Sequence, residues 1–162
     1  MNKIKQGMIP GIVVADDRPD FSGSYRLTKS TLVPDYPAKG NKRTLEVVQA
    51  AASMLVTIVR TSGSVANKFS LDGTPGAYID PSGVGGKCKG HFKGRVLYLD
   101  AFIATRVNGG GPKIEVHTTE RWELSSDAKT LTINIENHTT NAETGQEILN
   151  NVSHFVEIYS RN

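Results

Sequence analysis

What this chain lacks narrows the field first. Its 162 residues include one cysteine, Cys88, so no internal disulfide can form and no cysteine cluster can bind a metal. A lone cysteine does not point to a compartment. No apolar run approaches the roughly 20 residues that a membrane-crossing helix needs. Neither sign of charge dominates: 19 Lys and Arg against 16 Asp and Glu leave +3, too little to imply a nucleic-acid partner by itself. His91, His117, His138 and His154 fall in separate segments, with no His-x-His or His-x-x-x-His spacing, so no metal site is expected. Gly109–Gly111 is not a phosphate loop, because no Lys-Ser/Thr follows it. No cofactor is expected, and no catalytic constellation stands out.

What the chain does have is alternation and punctuation. Sixteen glycines and seven prolines imply many turns. From Lys113 to Glu136 the pattern reads as one β-hairpin. Ile114, Val116, Thr118, Glu120, Trp122 and Leu124 share one face at period two. Ser125–Lys129 supplies turn chemistry, and Leu131, Ile133 and Ile135 resume the alternation. Other segments follow suit. Phe21–Lys29 is a predicted strand with Phe21, Gly23, Tyr25 and Leu27 on one face, and a loop with Pro34, Pro37 and Gly40 follows. Arg43–Ala50 and Met54–Thr61 are read as strands because β-branched residues crowd them, although Thr44–Arg60 also suits a helix. Asn67–Leu71, Lys87–Phe92, Arg95–Arg106 and Val152–Tyr159 complete the set. Thr74–Gly86 reads as a loop containing the turn Asp80-Pro81-Ser82-Gly83, and a helical turn is expected near Glu143–Leu149.

About eight to ten short strands leave edges that invite aggregation, and closure into an antiparallel up-and-down barrel removes them. A two-sheet sandwich is the alternative. Residues 1–20 read as an N-terminal arm or a vestigial export signal, since Lys3 and Lys5 precede the apolar Met8–Ala15. A signal implies a secreted or periplasmic origin; a plain arm implies a cytoplasmic one. Residues 21–162 read as one domain.

Several motifs then align with a known family. FSGSYRL resembles the first-strand signature of lipocalin-like barrels, with Gly23-Ser24-Tyr25 standing where Gly-x-Trp is usual. FSLDGTPG, CKGHFKGRVLYLD and ERWELSSDAKTLTI resemble, in order, segments of small bacterial lipocalin-like domains. Together they cover about residues 21–160. Tyr25 replaces the usual Trp, and Ala128 replaces a turn Gly, which disfavours φ > 0. The resemblance implies a calycin-type barrel with an interior cavity for a small apolar molecule. It also implies that Arg161 packs across Tyr25 to close the barrel base.

The expected function is non-enzymatic binding of a small hydrophobic or amphipathic molecule inside the barrel. The expected lining is Tyr25, Met54, Val56, Ile58, Phe69, Phe92, Leu97, Leu99, Val116, Thr118, Glu120 and Trp122, with Leu27 in the same core. A monomer or homodimer is expected. Two alternatives compete. One is a barrel cyclase, isomerase or hydro-lyase using Glu120 or Asp100 with Tyr98 or a histidine as proton partner. The other is a structural domain whose lumen is packed. Glu120 is the sharpest question, because it interrupts the apolar face of Trp122 and Leu124 unless a register shift turns it outward. Asp100 faces inward only if the aromatic face of Tyr98 and Phe102 does; the aliphatic face is the safer interior. Lys87, Lys89, His91, Lys93 and Arg95 form a basic stripe, read as a solvated outer face that a turn at Lys93-Gly94 would break. Cys88 is read as a small buried hydrophobe before a reactive thiol.

Overall fold

The computed structural model describes residues 17–32, 42–148 and 153–162. The apolar export-signal segment, the whole of residues 34–40 and Leu149 lie outside the described residues. Ten strands form one antiparallel sheet. They are β1 (Gly23–Ser30), β2 (Arg43–Gln49), β3 (Ser53–Arg60), β4 (Gly63–Ser70), β5 (Gly76–Ile79), β6 (Gly85–Lys93), β7 (Val96–Arg106), β8 (Lys113–Leu124), β9 (Thr130–Asn141) and β10 (Ser153–Arg161). The run from Thr44 to Arg60 is a hairpin, not a helix, as its β-branched residues favour. Gly76–Ile79, read from sequence as loop, is a four-residue strand paired with β6. Near Glu143 there is a single turn held by Gly145 N–H on the Asn141 carbonyl (2.8 Å). Among the described residues no helix is long and apolar enough to cross a membrane.

The sheet order is β4-β3-β2-β1-β10-β9-β8-β7-β6-β5. Every neighbouring pair is consecutive in sequence except β1 and β10, whose pairing (Tyr25 opposite Arg161, Leu27 opposite Tyr159) curls the sheet round on itself. The curl leaves a seam between β4 and β5 that no strand ladder crosses. Side chains bridge it instead. Asn67 donates from Nδ2 to the Ile79 carbonyl and accepts the Ile79 N–H on Oδ1, both at 2.8 Å. The Cys88 thiol lies 3.4 Å from the carbonyls of Lys68 on one side and Ala77 on the other. The barrel is therefore nearly closed, and its last edges are covered.

One end is plugged by aromatics. Phe21 meets Trp122 edge-on at 5.9 Å and Phe92 at 6.2 Å, all around a core that includes Met54, Leu97 and Leu131. Truncating an aromatic in such a plug costs about 3–5 kcal/mol. The Arg161 guanidinium lies 5.1 Å above the Tyr25 ring and donates to its hydroxyl at 2.5 Å, as the first-strand resemblance implied. Arg161 also ties down the carbonyls of Asp20 and Ser22. Gly23 makes room for it: a Cβ there would sit 3.2 Å from Arg161 Nε, at a φ of +148° that side chains disfavour.

The β8–β9 turn keeps its form without glycine. Ala128 adopts φ +57°. Ser125 and Asp127 hold the turn, with the Ser125 hydroxyl on Asp127 at 2.6 Å and the Lys129 N–H on the same carboxylate at 3.0 Å.

Candidate functional site

Above the aromatic plug the barrel encloses a cavity of about 280 Å³, near the low end of small-molecule sites. The alternation seen in the sequence puts Val56 and Ile58 (β3), Phe69 (β4), Leu99 (β7), and Thr118, Glu120 and Trp122 (β8) on its wall. Ile133 and Ile135 of β9 add apolar surface, and Leu32, Arg60 and Pro81 stand at the open end.

Tyr25, Met54, Phe92, Leu97 and Val116 correct the expected lining, because none of them borders the cavity. The first four are core residues below it: Tyr25, Met54 and Leu97 are fully buried and Phe92 packs against that core. Period two tells which face points inward, but not how far along the strand the plug ends. Val116 shares the inward face of β8 yet lies beyond the cavity.

Glu120 points inward. Pairing along β8 runs without a shift, from Leu97 opposite Trp122 through Leu99 opposite Glu120 to Ala101 opposite Thr118. The carboxylate sits between Leu99 and Ile135 on the adjacent strands. Its Oε2 accepts the Trp122 indole N–H at 2.7 Å. Burial pushes the Glu120 carboxyl above its ordinary range, while the indole N–H and the Arg43 charge pull it partway back. The side chain is half-buried, and it borders the cavity.

Tyr98 and Asp100 are not lumen groups. Leu97, Leu99 and Ala101 are the buried face of β7, so Tyr98, Asp100 and Phe102 point out. There Asp100 accepts from Thr119 at 2.9 Å and meets His117 Nε2 at 2.8 Å, while His117 stacks on Phe102 at 4.2 Å. The basic stripe lies on this outer face, with Lys89 over Phe102 and His91 stacked on Tyr98. A turn at Gly94-Arg95 ends it. Cys88 is buried, and burial pushes its thiol up, opposite to the shift that makes a nucleophile.

The cavity's other polar groups were not anticipated. Arg43 of β2 and Glu157 of β10 form an ion pair, and the Tyr159 hydroxyl donates to the second Glu157 oxygen at 2.7 Å. Arg43 also lies 5.9 Å from the Tyr159 ring. Thr118 donates to Asn137 at 2.6 Å, and Asn137 donates to Ser153 at 3.1 Å. Tyr78 of β5 lines the wall too. Burial first, and the Glu120 charge second, push its hydroxyl up to about 12. In β10 both faces mix polar and apolar residues, so alternation alone does not say that Phe155, Glu157 and Tyr159 turn inward.

This geometry defines a ten-stranded, nearly closed antiparallel β-barrel with an internal, mostly apolar cavity. Its fold is shared with solved structures. One is described as "REP1-NXSQ fatty acid transporter" (TM-score 0.61, 14% identity, 88% of this chain and 96% of that one). A second is fatty-acid-binding protein 1 of Echinococcus granulosus (TM-score 0.58, 14% identity, 87% and 96%). A third is the fatty-acid-binding protein of Drosophila melanogaster brain (TM-score 0.55, 18% identity, 87% and 99%). At these identities the likeness speaks to fold alone. No protein-family sequence model matches the chain, and a search of curated proteins finds no match.

Proposed function

We propose that this protein is a non-enzymatic binder of a small hydrophobic or amphipathic molecule, held inside the barrel by residues 21–162 acting as one domain. The observation that carries this reading is the cavity itself: apolar and aromatic walls from eight strands, a few inward polar groups and one open end. The fold neighbours described as fatty-acid transporters or binding proteins use the same barrel, which supports a lipid-like cargo. Val56, Ile58, Phe69, Leu99 and Trp122 would supply burial, at roughly 25 cal/mol per Å² of apolar surface.

The arrangement favours binding over catalysis. Acid–base chemistry needs a titratable couple with a proton to pass to a substrate. The hydrogen bond to Glu120 comes from an indole, which does not titrate, and the Tyr78 hydroxyl that feels the Glu120 charge is pushed up to about 12, too high to pass a proton near neutral pH. Glu157 is held as the counterion of Arg43. Tyr98 and Asp100, the other candidates, face outward. A packed lumen is disfavoured by the cavity volume.

The test is native mass spectrometry of the purified protein, followed by solvent extraction and identification of any retained molecule. A stoichiometric apolar adduct, lost on denaturation, is the expected result. No adduct, together with no saturable uptake of the neutral hydrocarbon probe diphenylhexatriene, would end the binding reading.

A further inference from the structure

The cavity's polar groups are nearly all spent on one another. Asn67 is committed to the Ile79 backbone across the seam. Thr118 and Asn137 are bonded together, and Glu157 is shared by Arg43 and Tyr159. The Tyr78 hydroxyl, a neutral group that takes no hydrogen bond from the described residues, is one exception, and the charged one is Glu120. Its Oε2 takes the Trp122 N–H, but no hydrogen bond from the described residues reaches Oε1. Apolar Leu99 and Ile135 flank it on the neighbouring strands. Glu120 is half-buried and borders the cavity, so this carboxylate oxygen is an acceptor open to a donor in the lumen.

The charge pattern agrees. Deep in the lumen stand two acids, Glu120 and Glu157, and one base, Arg43. Arg43 already neutralises Glu157. A carboxylate ligand would be a third acid sharing that one inner cation, desolvated beside Glu120. Arg60, the remaining cation of the lining, is exposed at the open end.

Resting on the proposal that the lumen binds an amphipath, we infer that its ligand carries a hydrogen-bond-donating head, an alkylammonium above all, which docks on Glu120 while its chain runs along Val56, Phe69 and Ile133. Long-chain carboxylates, the cargo named for the fold neighbours, are then poor ligands of this barrel. The overall +3 charge cannot produce that preference, since it attracts anions and repels ammonium ions.

The test compares decylamine, 1-decanol and decanoate at pH 7, with the full chain. The single tryptophan, Trp122, reports arrival at Glu120 through its fluorescence, and displacement of diphenylhexatriene reports occupancy of the lumen. Decylamine is expected to bind at least tenfold more tightly than decanoate. Glu120→Gln should bring the two within about threefold while leaving decanol within threefold of its original affinity, as loss of a charge-assisted hydrogen bond requires. Decanoate binding as tightly as decylamine would overturn the inference and leave lumen binding intact. So would a preference unchanged in Glu120→Gln. If none of the three, nor diphenylhexatriene, binds saturably, the lumen-binding proposal itself fails. Should the variant lose diphenylhexatriene binding, the amine-to-carboxylate ratio of the unaltered protein decides alone.

Discussion

The seam between β4 and β5 is bridged by the Asn67 amide and the Cys88 thiol, and the two hydrogen bonds of the amide make Asn67→Ala the most informative single change. Asn67 imitates a ladder residue: its amide gives one hydrogen bond to Ile79 and takes one back, each at 2.8 Å. Asn67 is buried, whereas Ile79 is 50% exposed, so water can reach the Ile79 backbone once the amide is gone. The cost is then the net worth of two hydrogen bonds without an added desolvation penalty, about 1–3 kcal/mol. For a chain of this length that lowers Tm by roughly 2–12 °C. The local signature matters more than the global one. Amide exchange at Ile79 should accelerate, while strands of the opposite wall, such as Leu131 and Ile133 in β9, change only by the global amount. Asn67→Asp sharpens the test. It keeps the acceptor for the Ile79 N–H but sets an anion against the Ile79 carbonyl. Burial and that carbonyl raise the carboxyl above its unfolded value near 3.9. A raised group favours folding below its unfolded value and loses that contribution as pH rises through the folded one. Asn67→Asp should therefore be less stable at pH 7 than at pH 4, relative to the unaltered chain. A Tm shift under 1 °C with unchanged exchange at Ile79 would refute the idea that this amide closes the barrel.

Three further outcomes can be checked by urea or thermal unfolding and by amide exchange. Arg43→Met strands Glu157, which is only 4% exposed; with part of Arg43 in contact with solvent the cost is about 2–4 kcal/mol. The double variant Arg43→Met, Glu157→Gln should be milder than Arg43→Met alone, and a double as damaging as the sum of the two singles would contradict the pairing. Ala128→Gly relieves a left-handed alanine and should stabilise by roughly 0.5–1 kcal/mol after the added unfolded-state freedom is subtracted; a lower Tm would count against the φ of +57°. His138 is held between Glu147 and Glu136, and these carboxylates raise its pKa, Glu147 most. The clasp is complete below about pH 6.5 and fades as pH rises through the higher folded value, so protection of the Ile148 amide, bonded to the Thr139 carbonyl, should fall between pH 6 and pH 9. Protection that grows over this range would sink that reading.

Much of the barrel was legible because its strands bury one face. Trp122, Leu131, Ile133 and Ile135 alternate cleanly, and the structure buries all four. Glu120 was legible for the same reason, as the polar interruption of an apolar face. Strand β5 was not, since Gly76–Ile79 offers four residues inside a Gly/Pro-rich stretch, too few to show a period. The Arg43–Glu157 pair was hidden differently. Arg43 begins its strand and Glu157 lies in a strand mixed on both faces, so only the register of β10 against β1 and β9 turns them toward each other. Depth is the other quantity that alternation omits. It separates Phe69 and Leu99, on the cavity wall, from Met54 and Leu97, in the plug beneath it.

The pairing of β1 with β10 has a consequence for how the chain reaches this state. Tyr25 and Arg161 are 136 residues apart, whereas every other ladder joins strands that follow one another. Hairpins can therefore form and extend along most of the sheet at the entropic cost of short loops. A single ring closure over nearly the whole chain remains, at a cost that rises only with the logarithm of loop length. The Arg161 guanidinium, reaching the Tyr25 ring and the carbonyls of Asp20 and Ser22 together, concentrates the gain of that closure in one side chain. The base of the barrel is thus its latch, completed when the two distant ends of the sheet meet.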